Sequence, residues 1–190
     1  MAKPKSEDKR NAIFAAATQV FAERGLGAPT AAITSAAGIA EGSLFTYFKT
    51  KDELINALYR ELKLELADSM MSGFPRKQSV RHRLEHVWNG YVQWGMANPE
   101  QQKVLKQIQV WAGLTEESKQ AGSAPFVEIQ RMAEDAVTQR IYRDIPQTFI
   151  TAALVELAEM TMEFMMREPE RAEMYRTAGF EMLWAGITRR

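Results

Sequence analysis

The apolar residues of this chain recur at helical spacing along almost its whole length. In the clearest example, Ile13, Ala17, Val20 and Phe21 follow the i, i+4, i+7, i+8 pattern of a buried helix face. No segment alternates apolar and polar residues in a way that would predict a strand. The chain has 190 residues, which allows one compact domain or two small ones. The sequence therefore predicts an all-α architecture of about nine helices.

Glycine, proline and capping residues divide the pattern into segments. The first helix is predicted from about Ser6 to Gly25, and two short helices follow, one capped by Thr30 and one from about Glu41 to Phe48. The run from Thr50 to Glu53 is a capping box, in which the Thr side chain bonds the Glu53 amide and Glu53 reaches back, so a fourth helix begins there and ends before Gly73. Five further helices are predicted over about residues 77–97, 100–112, 115–142 with an interruption near 122–125, 144–167 and 168–186.

The second and third helices form the most informative pair. Each is too short to persist alone in water, so both must be held by packing. Gly38 lies in the tight turn between them and can adopt the left-handed conformation that a sharp helix end requires. Two short helices joined in this way are typical of the DNA-binding helix-turn-helix, whose second helix enters the major groove. The motif is predicted over about Thr30–Phe48, with these inward residues: Ile33, Ala37, Ile39, Leu44 and Phe48.

The outer face of the third helix has an unusual composition for a surface exposed to water. If Leu44 and Phe48 point inward, the outward residues include two aromatic side chains beside Gly and Ser. Such a face suits DNA, because hydroxyl groups bind phosphates and aromatic edges contact sugars and thymine methyl groups. Lys51 lies in the first turn of the fourth helix, where a cation is unfavourable by a few tenths of a kcal/mol, so a phosphate is its expected partner.

These residues together resemble the signature of the TetR family of regulators. The matching runs are Thr30-x-x-Ile33, Ala37-Gly38-Ile39, Gly42-Ser43-Leu44-Phe45-x-Tyr47-Phe48 and Lys51-Asp52-Glu53-Leu54. The chain departs from the family at Phe45, where Tyr is commoner, and this change puts one phosphate contact in doubt. The resemblance implies a homodimer with a three-helix DNA-binding head over residues 6–66, which includes the start of the linking fourth helix. It also implies a ligand-binding and dimerisation domain over residues 67–190.

The resemblance further implies which residues touch operator DNA. In the family these are the first turns of the second and third helices and the start of the fourth. The positions that correspond in this sequence are Thr30, Ser35, Gly42, Ser43, Phe45, Thr46, Tyr47 and Lys51.

Residues scattered over the chain also resemble the RamR-like multidrug-responsive repressors within that family. Examples are Trp88-Asn89-x-Tyr91 and Gly179-Phe180-Glu181. This likeness implies repression that is relieved by a small amphipathic or drug-like effector. Aromatic side chains on the fourth to seventh helices suit such a ligand, although each of them could equally belong to the core. The predicted ligand-binding residues are Tyr59, Trp88, Trp94, Trp111, Phe126 and Leu154.

The last two predicted helices are the candidates for dimerisation. The eighth is apolar almost all round, which predicts burial on most of its faces. Pairing of both helices with their copies would give a four-helix interface, and the alternative is that they form the core of the monomer. The predicted interface residues are Phe149, Leu157, Phe164, Phe180, Leu183 and Trp184.

Composition limits the remaining classes of function. The formal net charge is zero, but residues 1–51 carry seven Lys/Arg against four Asp/Glu, so the positive excess lies at the N-terminal end. The chain has no cysteine, no apolar run of about eighteen residues and a charged start that is unlike a secretory signal. A cytoplasmic protein without a cofactor fits these observations.

One pattern is typical of an enzyme. His82-Arg83-Leu84-Glu85-His86 matches the H-x-x-E-H pattern of a group of zinc hydrolases, in which two histidines on one helix face hold the metal. Arg81 and Arg83 flank the pattern and would repel a cation. We therefore interpret it as a polar helix face and predict no catalytic or metal site, with a helical metallohydrolase as the alternative.

Overall fold

The computed structural model describes residues 5–189, with side chains from residue 7 onward. Within this range the regular secondary structure is helical apart from one isolated antiparallel bridge between Tyr142 and Thr188. The predicted all-α fold is thus confirmed. The ten α-helices are α1 (Lys5–Arg24), α2 (Thr30–Ala36), α3 (Glu41–Tyr47), α4 (Lys51–Met71), α5 (Val80–Ala97), α6 (Pro99–Gln109), α7 (Glu116–Ser123), α8 (Val127–Thr138), α9 (Gln147–Arg167) and α10 (Ala172–Ile187).

Several predicted helix boundaries needed correction. The predicted cap of α2 is wrong, because Pro29 occupies the N-cap position and Thr30 is already helical. The predicted seventh helix is two helices, α7 and α8, separated by one turn of 3-10 helix at Ala124–Phe126. A second 3-10 turn, Pro169–Arg171, precedes α10. Both turns contain a proline, which lacks the amide hydrogen that a continuous α-helix would use.

The chain folds as two compact units. The first contains Met1–Leu64 and Asn98–Ser123, and the second contains Glu65–Ala97 and Ala124–Arg190. Helices α6 and α7 therefore pack with the N-terminal helices, although they lie well beyond residue 66 in the sequence. The functional boundary between residues 66 and 67 stays a prediction.

The capping box at the start of α4 is present, with one difference in detail. The Thr50 hydroxyl oxygen accepts a hydrogen bond from the amide of Glu53 at 3.1 Å. The Glu53 carboxylate accepts one from the amide of Lys49 at 2.8 Å, one residue beyond the expected partner. Two amides that the helix leaves without intrahelical partners are thereby satisfied, which fixes the position where α4 begins.

A buried asparagine joins α4 to the turn between α6 and α7 in the first unit. Asn56 donates from its side-chain nitrogen to the carbonyls of Asp52 and Gly113, at 2.9 and 3.0 Å. Its side-chain oxygen accepts from the amide and the hydroxyl of Thr115, at 2.9 and 3.1 Å. Thr115 and Arg60 in turn hydrogen-bond the fully buried Ser118. This network explains why the segment 98–123 belongs to the first unit.

The Asn56→Ala variant should lower the free energy of unfolding of the protein by about 1–3 kcal/mol, because it removes the hydrogen bonds that join Asn56 to Gly113 and Thr115. Urea denaturation followed by circular dichroism measures the change. Gln109→Ala removes an exposed amide from the same unit and should have little effect. Equal stability of the two variants would show that the Asn56 network contributes nothing.

In the second unit, the end of α4 approaches α5 closely at a glycine. A Cβ atom added at Gly90 would lie 2.8 Å from the Cα atom of Met70. The Ser69 hydroxyl also donates a hydrogen bond to the Gly90 carbonyl at 3.2 Å. Backbone atoms cannot move aside as a flexible side chain can, so the distance between these helices requires the absence of a side chain at position 90.

The Gly90→Ala variant should therefore lose about 1–3 kcal/mol of stability from overpacking. Gly186 in α10 serves as the matched control, since nothing lies within 4 Å of a Cβ added there. Gly186→Ala should gain about 0.5–1 kcal/mol from helix propensity. Thermal and urea unfolding of both variants would measure these opposite effects, and a stabilised Gly90→Ala protein would contradict the close approach.

Candidate DNA-binding site and ligand-binding residues

The turn between α2 and α3 has the geometry that the sequence predicted. Gly38 adopts φ +64°, in the left-handed region that a side chain disfavours. The Gly38 amide donates to the Ser35 carbonyl at 3.2 Å, and the Ile39 amide donates to the Thr34 carbonyl at 3.0 Å. These bonds end α2 sharply and direct the chain into α3.

The inner face of the helix-turn-helix packs in the first unit. Ile33, Leu44 and Phe48 are all buried. The Phe48 ring lies 5.5 Å from the ring of Phe14 on α1, measured between centroids. Burial of side chains of this size contributes roughly 1.5–3 kcal/mol each, which is the stabilisation that a seven-residue helix cannot supply by itself. Of the other residues predicted to face inward, Ala37 and Ile39 are only half-buried.

The outer face of α3 is accessible, as its composition indicated. Gly42, Phe45 and Thr46 are exposed, and Ser43 and Tyr47 are half-buried. Phe45 leaves 46% of its surface in contact with solvent, a high fraction for an aromatic ring. An accessible row of hydroxyl and aromatic groups on one helix face offers the chemistry that contacts phosphates and base edges.

The remaining predicted DNA contacts also have accessible surface. Ser35 is exposed, and Thr30 and Lys51 are half-buried. The Lys51 ammonium lies 5.9 Å from the centre of the Phe21 ring, within the range of a cation–π interaction. This contact restrains the Lys51 side chain at the first turn of α4, next to the end of α3 in the sequence.

The predicted ligand-binding residues are divided between the two units. Tyr59 and Trp111 belong to the first unit, and Trp88, Trp94, Phe126 and Leu154 belong to the second. Burial raises the pKa of Tyr59, whose ring lies against Gly122, where an added Cβ would approach it to 2.6 Å. The role of these six residues in ligand binding stays a prediction.

Trp88 in particular has a packing role in the second unit. Its side chain is fully buried, and its indole nitrogen donates to the carbonyl of Arg176 at 3.1 Å. The ring lies 6.4 Å from that of Phe180 and approaches Gly179 closely. These contacts join α5 to α10, which is the core role that the sequence left open as the alternative.

The residues predicted for the dimer interface differ in exposure. Phe180 and Leu183 are almost fully buried within the second unit, so they have no surface to offer a partner, and their assignment needs correction. Phe149 is 64% exposed, and Leu157, Phe164 and Trp184 are half-buried. In the single chain α9 also leaves Met160 and Met166 exposed, and burial of these faces in a dimer stays a prediction.

The two histidines of the pattern on α5 have different surroundings. In the part of the chain that the structure describes, no group of three or more His, Asp or Glu side chains is placed to hold a metal ion. His82 is exposed and lies 3.4 Å from the Ser79 hydroxyl, whereas the His86 ring packs edge-on against Phe74 at 5.8 Å. Among the described helices none is long and apolar enough to cross a membrane.

Comparison with known proteins finds a family match in the N-terminal helices. Residues 13–58 match the family described as bacterial regulatory proteins, tetR family. This match covers the second half of α1, the whole helix-turn-helix and the start of α4.

Solved structures of similar fold extend over nearly the whole chain. A TetR family transcription regulator from Marinobacter aquaeolei VT8 has a TM-score of 0.89 at 18% identity, with 98% of each chain covered. A second from Shewanella sp. PV-4 has a TM-score of 0.85 at 24% identity, with 96% of this chain and 99% of that chain covered. The transcriptional regulator FadR from Bacillus subtilis, solved in complex with stearoyl-CoA, has a TM-score of 0.70 at 17% identity, with 93% and 98% covered.

The family match and the geometry of the turn agree on the same residues. Residues 13–58, which include the helix-turn-helix, match the tetR family model, and the chain as a whole has the fold of solved TetR family transcription regulators.

Proposed function

We propose that this protein is a dimeric, ligand-responsive transcriptional repressor. Two copies of α3 enter successive major grooves of a near-palindromic operator, about 34–36 Å or a multiple of that distance apart. Binding of a small amphipathic or drug-like effector to the C-terminal domain releases the operator. The observation that carries this proposal is the division of α3 into a buried inner face and an accessible outer face with two aromatic rings.

The contacts to DNA follow from this division. The outer residues Gly42, Ser43, Phe45, Thr46 and Tyr47 would face the groove, with the glycine allowing close approach of the backbone. Thr30, Ser35 and Lys51 would bind the phosphates on either side of it. Phosphate contacts contribute most of the affinity, and they depend on the salt concentration.

Lys51→Met should weaken operator binding and reduce the slope of log affinity against log salt by about 1, because one phosphate contact is lost. Tyr47→Ala should weaken binding roughly tenfold, which corresponds to about 1.4 kcal/mol. Fluorescence anisotropy with a labelled promoter fragment at several salt concentrations measures both effects.

Lys103→Met is the matched control for charge, since Lys103 is exposed on α6 in the same unit. It should retain the affinity and the salt slope of the wild type. If Lys51→Met and Tyr47→Ala bind as tightly as this control, the assignment of the DNA-contacting face fails.

The dimer would form through the apolar surface of α9 and α10. Met160, Met166, Met174 and Met182 are each between 42% and 57% exposed, and Phe149 is more exposed still. Exposed apolar side chains at this density on two helices suit burial against a second protein surface. The proposed interface therefore keeps Phe149, Leu157, Phe164 and Trp184 and omits Phe180 and Leu183.

Phe149→Glu should shift the protein from dimer to monomer, because it places a charge in an interface that buries the aromatic ring. Position 149 lies in the first turn of α9, where a carboxylate is compatible with the helix dipole, so the fold should survive. Sedimentation velocity measures the shift, and circular dichroism checks the helix content. Val110→Glu, at an exposed position of the first unit, should remain dimeric. If Phe149→Glu dimerises with the affinity of the wild type, Phe149 does not belong to the interface.

We also propose that the effector is a small amphipathic or drug-like molecule. The Bacillus subtilis FadR structure holds stearoyl-CoA in a protein of this fold, which supports a C-terminal domain that accepts a small amphipathic molecule. The resemblance to RamR-like repressors points to drug-like compounds. An effector acts only through its different affinity for the two states, and a shift of α4 would alter the DNA-binding head because Lys51 is its first residue. Repression of this kind takes place in the cytoplasm, where the operator lies.

A further inference from the structure

The polar face of α5 includes two buried nitrogen atoms that have no hydrogen-bond partner. They are the Nε atom of Arg83 and the Nε2 atom of His86, and no described residue accepts from or donates to either of them. The two side chains stand three residues apart on one helix and therefore share a face. Buried polar atoms without partners are uncommon, since each costs about 1–3 kcal/mol of desolvation free energy.

Arg83 carries the greater cost, because its guanidinium group is always charged. Its side chain is half-buried, and its buried Nε atom is the part of the guanidinium group that has no hydrogen-bond partner among the described residues. By contrast, its neighbour Arg81 pairs with Glu181 and lies over the Phe180 and Trp184 rings. An oxygen atom of an anionic ligand would give the Nε atom of Arg83 the hydrogen bond that it lacks.

Two buried aromatic residues neighbour these side chains, Tyr142 beside Arg83 and Phe74 beside His86. Burial raises the pKa of Tyr142 to about 12, and the nearby Arg83 cation opposes that rise. Phe74 covers the His86 ring at 5.8 Å between centroids, and both Phe74 and Tyr142 are buried. All four residues belong to the second unit.

We infer that Arg83, His86 and Tyr142 form a binding site for the anionic group of an organic ligand, such as a carboxylate or a phosphate. The guanidinium fork matches the geometry of either group, and the imidazole can supply a further donor. Phe74 and Tyr142 would contact the apolar part of the ligand. This proposal deepens the proposed function, because it gives the effector a negative charge.

Isothermal titration calorimetry of the full chain tests the site with ligands that differ only in their head group. Decanoate and decyl phosphate supply the anion, decan-1-ol is the neutral control, and decylamine is the cationic control. One or both anions should bind saturably, with the alcohol and the amine at least tenfold weaker. Failure of both anions to bind, or equal binding of decan-1-ol, overturns the proposal.

Substitutions test whether Arg83 is responsible for that binding. Arg83→Met should weaken anion binding roughly tenfold to a hundredfold, and Arg83→Lys should lie between it and the wild type, because Lys keeps the charge and loses the fork. Arg131→Met is the matched control, since Arg131 is exposed on α8 of the same unit, and it should bind as the wild type does. Anion binding that is unchanged in Arg83→Met overturns the proposal.

A measurement without ligand separates this site from a purely structural role of Arg83. If only a ligand satisfies the guanidinium group, Arg83→Met should melt at the same temperature as the ligand-free wild type or at a higher one. A lower melting temperature would mean that Arg83 stabilises the fold and would overturn the assignment. These assays contain no DNA, so loss of operator binding would contradict the proposed function without affecting the result for the anion site.

Discussion

The DNA-binding head depends on the packing of a helix that cannot exist by itself. Helix α3 has seven residues, and free helices of that length are not populated in water. Leu44 and Phe48 bury their side chains against the rest of the unit, and the left-handed Gly38 sets the direction in which α3 leaves the turn. Since the inner residues are occupied in this way, the helical period leaves Phe45 and Tyr47 on the accessible side. The recognition surface is thus a consequence of the core.

The Asn56 network extends that head beyond the three helices that its sequence signature covers. A polar side chain in the middle of α4 would be unfavourable if its hydrogen bonds were incomplete. Four bonds satisfy it, and three of them reach the turn between α6 and α7. Residues 98–123 therefore belong to the same compact unit as the recognition helix. Helix α4 contributes residues to both units.

The second unit contains two kinds of unsatisfied surface, and each indicates a different partner. The exposed methionines of α9 and α10, with Phe149, are apolar, and they suit a second copy of the chain. The Nε atom of Arg83 and the Nε2 atom of His86 are buried and have no hydrogen-bond partner among the described residues, and they suit a small anion. The two partners differ in size. An apolar helix face is covered by another protein surface, whereas two oxygen atoms are enough to bind a guanidinium group.

The sequence by itself determined the all-α class, the turn at Gly38 and the division of α3 into two faces. Those features depend on residues within a few positions of one another, where helical spacing and glycine chemistry act directly. The tertiary structure alone decided that Trp88, Phe180 and Leu183 belong to the core and that α6 and α7 join the N-terminal helices. It also decided that the Nε atom of Arg83 has no hydrogen-bond partner among the described residues. Helical spacing states which residues share a face, but it does not state what covers that face. The covering residues come from distant parts of the chain, and only their packing separates a core side chain from one that is free to bind a partner.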